Sequence, residues 1–216
     1  MTALSERSRI LVAAPAKCAR LLVPATMFLV ACSAYTPESL EPTPAPLSSR
    51  LLPVHIGLGA TEVLRPEGLR GITLQTDFAT VFRRDLEANV FMPDDQRWGY
   101  AEFRLTFDRD AITGGGVALV GLNVVTLCIP SLLGAPYMLR ERTLQAEIVI
   151  YNARRVEVTK QVITGKGAYA ESLYREDEYR RAGIEAAKDI LRQFRSRLAP
   201  DVGPVNAKLR ETGPVQ

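Results

Sequence analysis

Twenty-three consecutive residues, Gly114 to Pro136 (GGGVALVGLNVVTLCIPSLLGAP), carry no charge. A segment of this length matches a membrane-spanning helix, which needs about 20 apolar residues. Gly121, Asn123, Pro130, Gly134 and Pro136 interrupt it, and three glycines open it. Glycine and proline are the poorest helix formers. A span here would also place the strand patterns on either side of the run across a membrane from one another. Two other readings stand beside the span. One is a pair of buried strands or a long apolar loop packed over a sheet, with IPSLLGAP as a turn. The other is an exposed apolar hairpin that dips into lipid or docks on a partner, since contiguous exposed apolar patches mark interaction sites. In that case Val117, Leu119, Leu122, Val125, Leu127, Ile129, Leu132 and Leu133 make the contact.

The flanking segments supply the rest of the fold. LLPVHIGLGATEV, with Val54, Ile56 and Leu58 alternating, reads as a strand. Residues 72–89 predict a helix: Leu74, Phe78, Val81, Phe82 and Leu86 fall on one face of a 3.6-residue period. Gln75, Arg83, Arg84 and Glu87 lie largely opposite, and Pro93, Asp94 and Asp95 end the element. In WGYAEFRLTFDRD, Ala101, Phe103, Leu105 and Phe107 point one way and Tyr100, Glu102, Arg104 and Thr106 the other. That is a half-buried strand with one wet face.

Beyond the uncharged run, Leu144, Ala146, Ile148 and Ile150 alternate with Gln145, Glu147 and Val149. Asn152 to Arg155 form a turn, and Val156, Val158 and Val162 continue on the return strand. Residues 176–198 predict a second helix, with Tyr179, Ala186, Ala187, Ile190, Leu191, Phe194 and Leu198 as its buried stripe. Glu176 with Arg180 and Asp177 with Arg181 are acid-before-base pairs four apart. Pro200 stops that helix, and residues 200–216 read as a flexible tail. The order β-α-β-insert-β-β-α predicts an α+β fold: an antiparallel or mixed sheet of about four strands, with two helices on one face.

Charge excludes one class of partner. The 27 basic and 24 acidic residues fall to 23 of each once residues 1–31 are set aside, because Arg7, Arg9, Lys17 and Arg20 face only Glu6 there. The remainder is formally neutral and offers no electrostatic footprint for nucleic acid. Behind the basic stretch, Leu21 to Ala31 is uncharged and eleven residues long. That is too short to span a membrane and fits the apolar region of a secretory signal.

Leu29-Val30-Ala31-Cys32 resembles the lipobox of bacterial lipoproteins. The resemblance implies cleavage between Ala31 and Cys32, a diacylglycerol on the Cys32 thiol and acylation of its freed amine. Two or three chains make attachment effectively permanent where one gives marginal binding. Ser33, where an Asp would favour inner-membrane retention, leans toward the outer membrane seen from the periplasm. Residues 32–50, with Pro37, Pro42, Pro44 and Pro46, read as a proline-rich tether. The element order of residues 51–199 is similar to the lipopolysaccharide-assembly lipoprotein, and the insert to Gly-rich inserts of other bacterial lipoproteins; neither likeness brings functional residues with it.

No catalytic constellation emerges. His55 is the only histidine, and no serine or acid is fixed beside it for a Ser-His-Asp system. Cys18, Cys32 and Cys128 give no disulfide framework once Cys18 is removed and Cys32 acylated. Cys128 then reads as a buried, inert thiol, and one histidine with one cysteine makes no zinc site. Asp108 and Asp110, with Glu102 upstream, are the candidate acid–base carboxylates, at a strand end where a solvated turn also wants acids. TGKGAY, Thr164 to Tyr169, lacks phosphate-loop spacing and reads as a bend or bulge. Arg175, Arg180, Arg181, Lys188, Arg192, Arg195 and Arg197 line the last helix, facing anionic lipid or peptidoglycan, or answering the helix dipole. The expected protein is a non-enzymatic envelope lipoprotein of assembly, transport-accessory or scaffold type, without cofactor. It is held to the membrane through Cys32 and offers its insert or a sheet edge to an envelope protein. An integral membrane protein spanning at 114–136 and a lipid-tethered envelope enzyme are the alternatives.

Overall fold

A computed structural model of the 216-residue chain describes residues 40–43, 50–56, 72–93, 95–173 and 178–216, all within the unit Tyr35–Gln216. Ala31, Cys32 and most of the predicted tether lie outside the described residues. The elements are β1 (His55–Ile56), α1 (Ile72–Asn89), β2 (Gly99–Ile112), α2 (Gly114–Val125), α3 (Ile129–Leu132), β3 (Met138–Asn152), β4 (Glu157–Glu171), α4 (Glu178–Leu198) and, after a 3-10 turn, α5 (Val202–Arg210). The sheet order is β1-β2-β3-β4. Short β1 runs parallel to β2, with His55 opposite Tyr100. The long strands β2, β3 and β4 are antiparallel to their neighbours. The α+β class is as the sequence predicts. The helix count differs, because the insert and the tail both fold as helices.

One core joins Ala101, Phe103 and Leu105 of β2, Leu144, Ala146, Ile148 and Ile150 of β3, and the apolar faces of α1 and α4. Phe82 of α1 stacks on Phe103 with ring centroids 3.4 Å apart. The predicted stripe of α4 is buried except for Tyr179, which packs against the core half-covered. Strand β4 runs straight through TGKGAY, so the expected bend is absent. Gly165 and Gly167 instead face α4: a Cβ on either would overlap the carbonyl oxygen of Ala186 or Ala182. Their lack of a side chain lets the helix backbone rest on the strand.

A bulge in β2 reverses part of the predicted alternation. Leu105 is opposite Ala146 but Phe107 is opposite Gln145, so Thr106 is the extra residue. One added residue sends every later side chain to the other face. Phe107, expected in the core, is 44% exposed. Asp108 and Asp110 turn inward instead, opposite Leu144 and Arg142.

Most of the segment expected to be a flexible tail is helical and packed. Val202, Val205 and Leu209 fall three and four apart on one face of α5, and Val205 and Leu209 are buried. The Leu52 amide donates to Asn206 Oδ1 at 2.8 Å, and the Val215 amide donates to the Arg97 carbonyl at 2.6 Å. Part of the predicted tether is also held. Leu40 packs against the core, Glu41 pairs with Arg84 at 3.0 Å, and Asn89 donates to the Thr43 carbonyl at 2.9 Å.

Candidate functional site

The uncharged run leaves the far end of the β2–β3 pair as a helical hairpin, α2 and α3. A segment departing there meets no third strand, so its backbone groups close on themselves as helix. Thr113 caps α2: its Oγ1 accepts from the Gly116 amide at 3.0 Å and donates to the Leu139 carbonyl at 3.1 Å. Gly116 sits so close to β3 that a Cβ would overlap that same carbonyl. At the turn, Leu127 and Cys128 take left-handed φ values of 54° and 60°. Pro130 sits in the first turn of α3, where its missing N–H costs nothing.

Two of the three readings of this run are thereby corrected. It is no span: its helices have 12 and 4 residues, and no described helix is long and apolar enough to cross a membrane. Nor is it a pair of buried strands or an apolar loop packed over the sheet, because it is helical and largely uncovered. Val117, Leu122, Val125, Leu127, Ile129, Leu132 and Leu133 are between 54% and 83% exposed. Leu119 alone of the predicted contact set is half-buried. Val124, outside that set but in the same uncharged run, is exposed as well.

Polarity in the hairpin is turned inward. On α2, the exposed Val117, Ala118, Gly121, Leu122, Val124 and Val125 cover an arc of about 160° at 3.6 residues per turn. The polar Asn123 is buried on the opposite side. Its Nδ2 donates to the Leu119 carbonyl at 3.0 Å, and its Oδ1 accepts from Ser131 Oγ at 2.5 Å. Thr126 Oγ1 donates back to the Leu122 carbonyl at 2.9 Å. The amides of Thr126, Leu127 and Cys128 bond the carbonyls of Leu122, Val124 and Asn123. Cys128 is exposed at the turn, not buried as its default reading expected.

The root of the hairpin is charged and aromatic. Arg140 reaches Asp110 at 2.6 Å and Glu171 at 3.2 Å. Tyr169 donates its hydroxyl to Asp110 at 3.0 Å, and the Tyr137 amide bonds the Glu171 carbonyl at 2.9 Å. Burial pushes the Tyr169 phenol far up, and the bond to Asp110 adds to the shift. Burial, then Glu171, raises Tyr137 as well. Below this collar, Asp108 is held by Arg142, whose side chain has no exposed surface. The candidate carboxylates are therefore both ion-paired, and Glu102 pairs with Arg155 at 3.3 Å. Among the described residues, no group of three His, Cys, Asp or Glu side chains could hold a metal.

The basic residues of α4 are mostly engaged. Arg180 pairs with Asp77, Arg195 with buried Asp85, and Arg192 with Asp189. Arg175, Glu176 and Asp177 lie outside the described residues. Three α4 side chains also cover the outer edge of β4. Gln193 donates to the Thr164 carbonyl at 2.9 Å and Arg197 to the Val162 carbonyl at 3.2 Å. Asp189 accepts from the Lys166 amide at 3.4 Å. Occupied groups of this kind guard an edge against strand addition.

No family model and no curated protein matches the chain. Solved structures give weak likenesses. A protein described as a candidate lipoprotein from Caulobacter crescentus is 14% identical over 73% of this chain and 92% of its own, with a TM-score of 0.34. A minor lipoprotein from Acinetobacter baumannii is 11% identical over 72% and 96%, with a TM-score of 0.36. A Xanthomonas campestris protein is 12% identical over 76% and 90%, with a TM-score of 0.32. At these values the likenesses carry no weight for the role of this chain.

Proposed function

We propose that the chain is a non-enzymatic envelope lipoprotein of assembly, transport-accessory or scaffold type, fastened through acylated Cys32, with the α2–α3 hairpin as its working surface. The observation that carries this reading is the exposure of an uncharged hairpin whose polar groups turn inward. The lipobox at Leu29–Cys32 supports membrane attachment, and Ser33 supports the periplasmic face of the outer membrane. The covered edge of β4 supports the hairpin over the sheet edge as the contact element. The ion pairs at Asp108 and Asp110 support a structural rather than acid–base role for those carboxylates.

Metabolic labelling with an alkyne palmitate tests the anchor. The mature chain should carry the label, and Cys32→Ala should abolish it. An unlabelled native chain, or one that begins at another residue, overturns the reading.

A further inference from the structure

We infer that the α2–α3 hairpin enters one leaflet of a lipid bilayer, with the Asp110, Tyr137, Arg140, Tyr169 and Glu171 collar at headgroup level. This deepens the reading of the hairpin as working surface, and draws on the Cys32 anchor only for nearness to a membrane.

Length fits one leaflet and no more. At 1.5 Å per residue, the 12 residues of α2 rise about 18 Å. Half of a hydrocarbon core about 30 Å thick is about 15 Å. Apolar helices of this size are candidates for re-entrant or interfacial segments.

Polarity fits lipid better than a protein groove. A helix that docks in a groove presents an apolar stripe and keeps a polar back toward water. The exposed arc of α2 is apolar throughout, and its one polar side chain faces α3. In hydrocarbon every polar group must find its partner inside the protein. Asn123, Thr126 and Ser131 do so, and the turn amides do likewise.

Tyr137 and Arg140 are partly exposed at the root, residue types that anchor at a membrane interface, while Tyr169 is buried behind them and holds Asp110. The collar flanks the hairpin directly: Asp110 precedes Thr113, and Tyr137 and Arg140 follow Pro136. An acylated Cys32 would hold the domain close to a bilayer. Cys32 precedes Leu40, which packs on the core, by eight residues. That length of chain spans at most about 29 Å.

Cys128 provides the probe. In the full chain carrying Cys18→Ser, acylation of Cys32 leaves Cys128 as the single free thiol. The thiol is labelled with bimane, and the protein is reconstituted in phosphatidylethanolamine–phosphatidylglycerol vesicles. Peptide masses report both the labelled residue and the acyl group. The inference expects blue-shifted bimane emission and quenching by nitroxide placed within the acyl chains. It also expects iodide quenching several-fold weaker than in a Leu127→Asp, Leu133→Asp variant of unchanged circular dichroism. A label as open to iodide as in that variant overturns insertion, even where Cys32 is acylated. Protection that arises only on adding envelope protein, or that rises with protein concentration through self-association, also overturns it. A deep label on a chain without acyl mass refutes the anchor and leaves insertion standing.

Discussion

Arg142 and Asp108 form a buried pair across β2 and β3, with Nε 2.9 Å from Oδ1 and Nη2 2.5 Å from Oδ2. The guanidinium carbon sits 4.0 Å from the Tyr179 ring centroid and 5.7 Å from that of Phe78. Its Nη1 donates to the Tyr179 carbonyl at 3.3 Å. A single arginine thus ties both strands to α1 and α4. Removing one member of a buried pair leaves a charge without its counter-ion and costs about 3–5 kcal/mol. Arg142→Ala should lower the free energy of unfolding by about that much in a urea titration. Arg142→Met with Asp108→Leu should recover most of the loss, because apolar replacements of similar volume are tolerated at such sites.

That pair was hidden in the sequence for a definite reason. Alternation through Leu105 places Phe107 inside and Asp108 outside, and the bulge at Thr106 inverts both. Nothing in the residue types around Thr106 marks a bulge. Helix α1 was fully legible, because Phe78, Val81, Phe82 and Leu86 repeat at the helical period and Pro93 follows. Chemistry of the insert was legible where its conformation was not. An uncharged run lacks the apolar–polar contrast that separates a 3.6 period from a 2.0 period. Val117, Leu122, Val125, Leu127, Ile129, Leu132 and Leu133 could thus be singled out by their chemistry, and they are exposed, although strand and helix stayed open. The α5 signal, Val202, Val205 and Leu209 on one face, was present but short, and Gly203 and Pro204 masked it.

Gly167→Ala should destabilise the domain although alanine is small. Its methyl group would meet the Ala182 carbonyl, so α4 would have to lift from β4. Overpacking of this kind costs about 1–3 kcal/mol. Gly203→Ala is the matched control, since a Cβ there meets nothing within 4 Å. Differential scanning calorimetry should show a clear drop in Tm for Gly167→Ala and little change for Gly203→Ala.

Alkaline pH should loosen the root of the hairpin through Tyr169. Burial, then the hydrogen bond to Asp110, raises its folded value above the ordinary 10.0. A raised value means the folded state holds its proton after the unfolded state has released it. The tyrosine's contribution is complete below pH 10 and is lost as the pH climbs above it. Between pH 9 and 11.5, the unfolding free energy of the native chain should fall more steeply than that of Tyr169→Phe. At pH 7 the variant should be weaker by about 1 kcal/mol for the lost hydrogen bond. Parallel pH slopes for the two chains would contradict this assignment.

The hairpin should be dispensable for folding. Only Gly116, Asn123 and Ser131 of its residues are buried, and their bonds run within the hairpin or to its root at Leu139. The core of β2, β3, α1 and α4 contains no residue of 114–136. Replacing that run with Asn-Gly joins Thr113 to Leu139 through the four-residue loop Asn-Gly-Tyr137-Met138, in the existing β2–β3 register. The shortened chain should lose only the far-ultraviolet signal of the 12 and 4 helical residues of α2 and α3 and keep one cooperative unfolding transition, and its stability should change by about 1 kcal/mol or less, or about 2–4 °C in Tm. A collapse of cooperative unfolding would mean that the hairpin completes the core. Retained folding would place its apolar surface outside the domain's own stability, as a contact element requires.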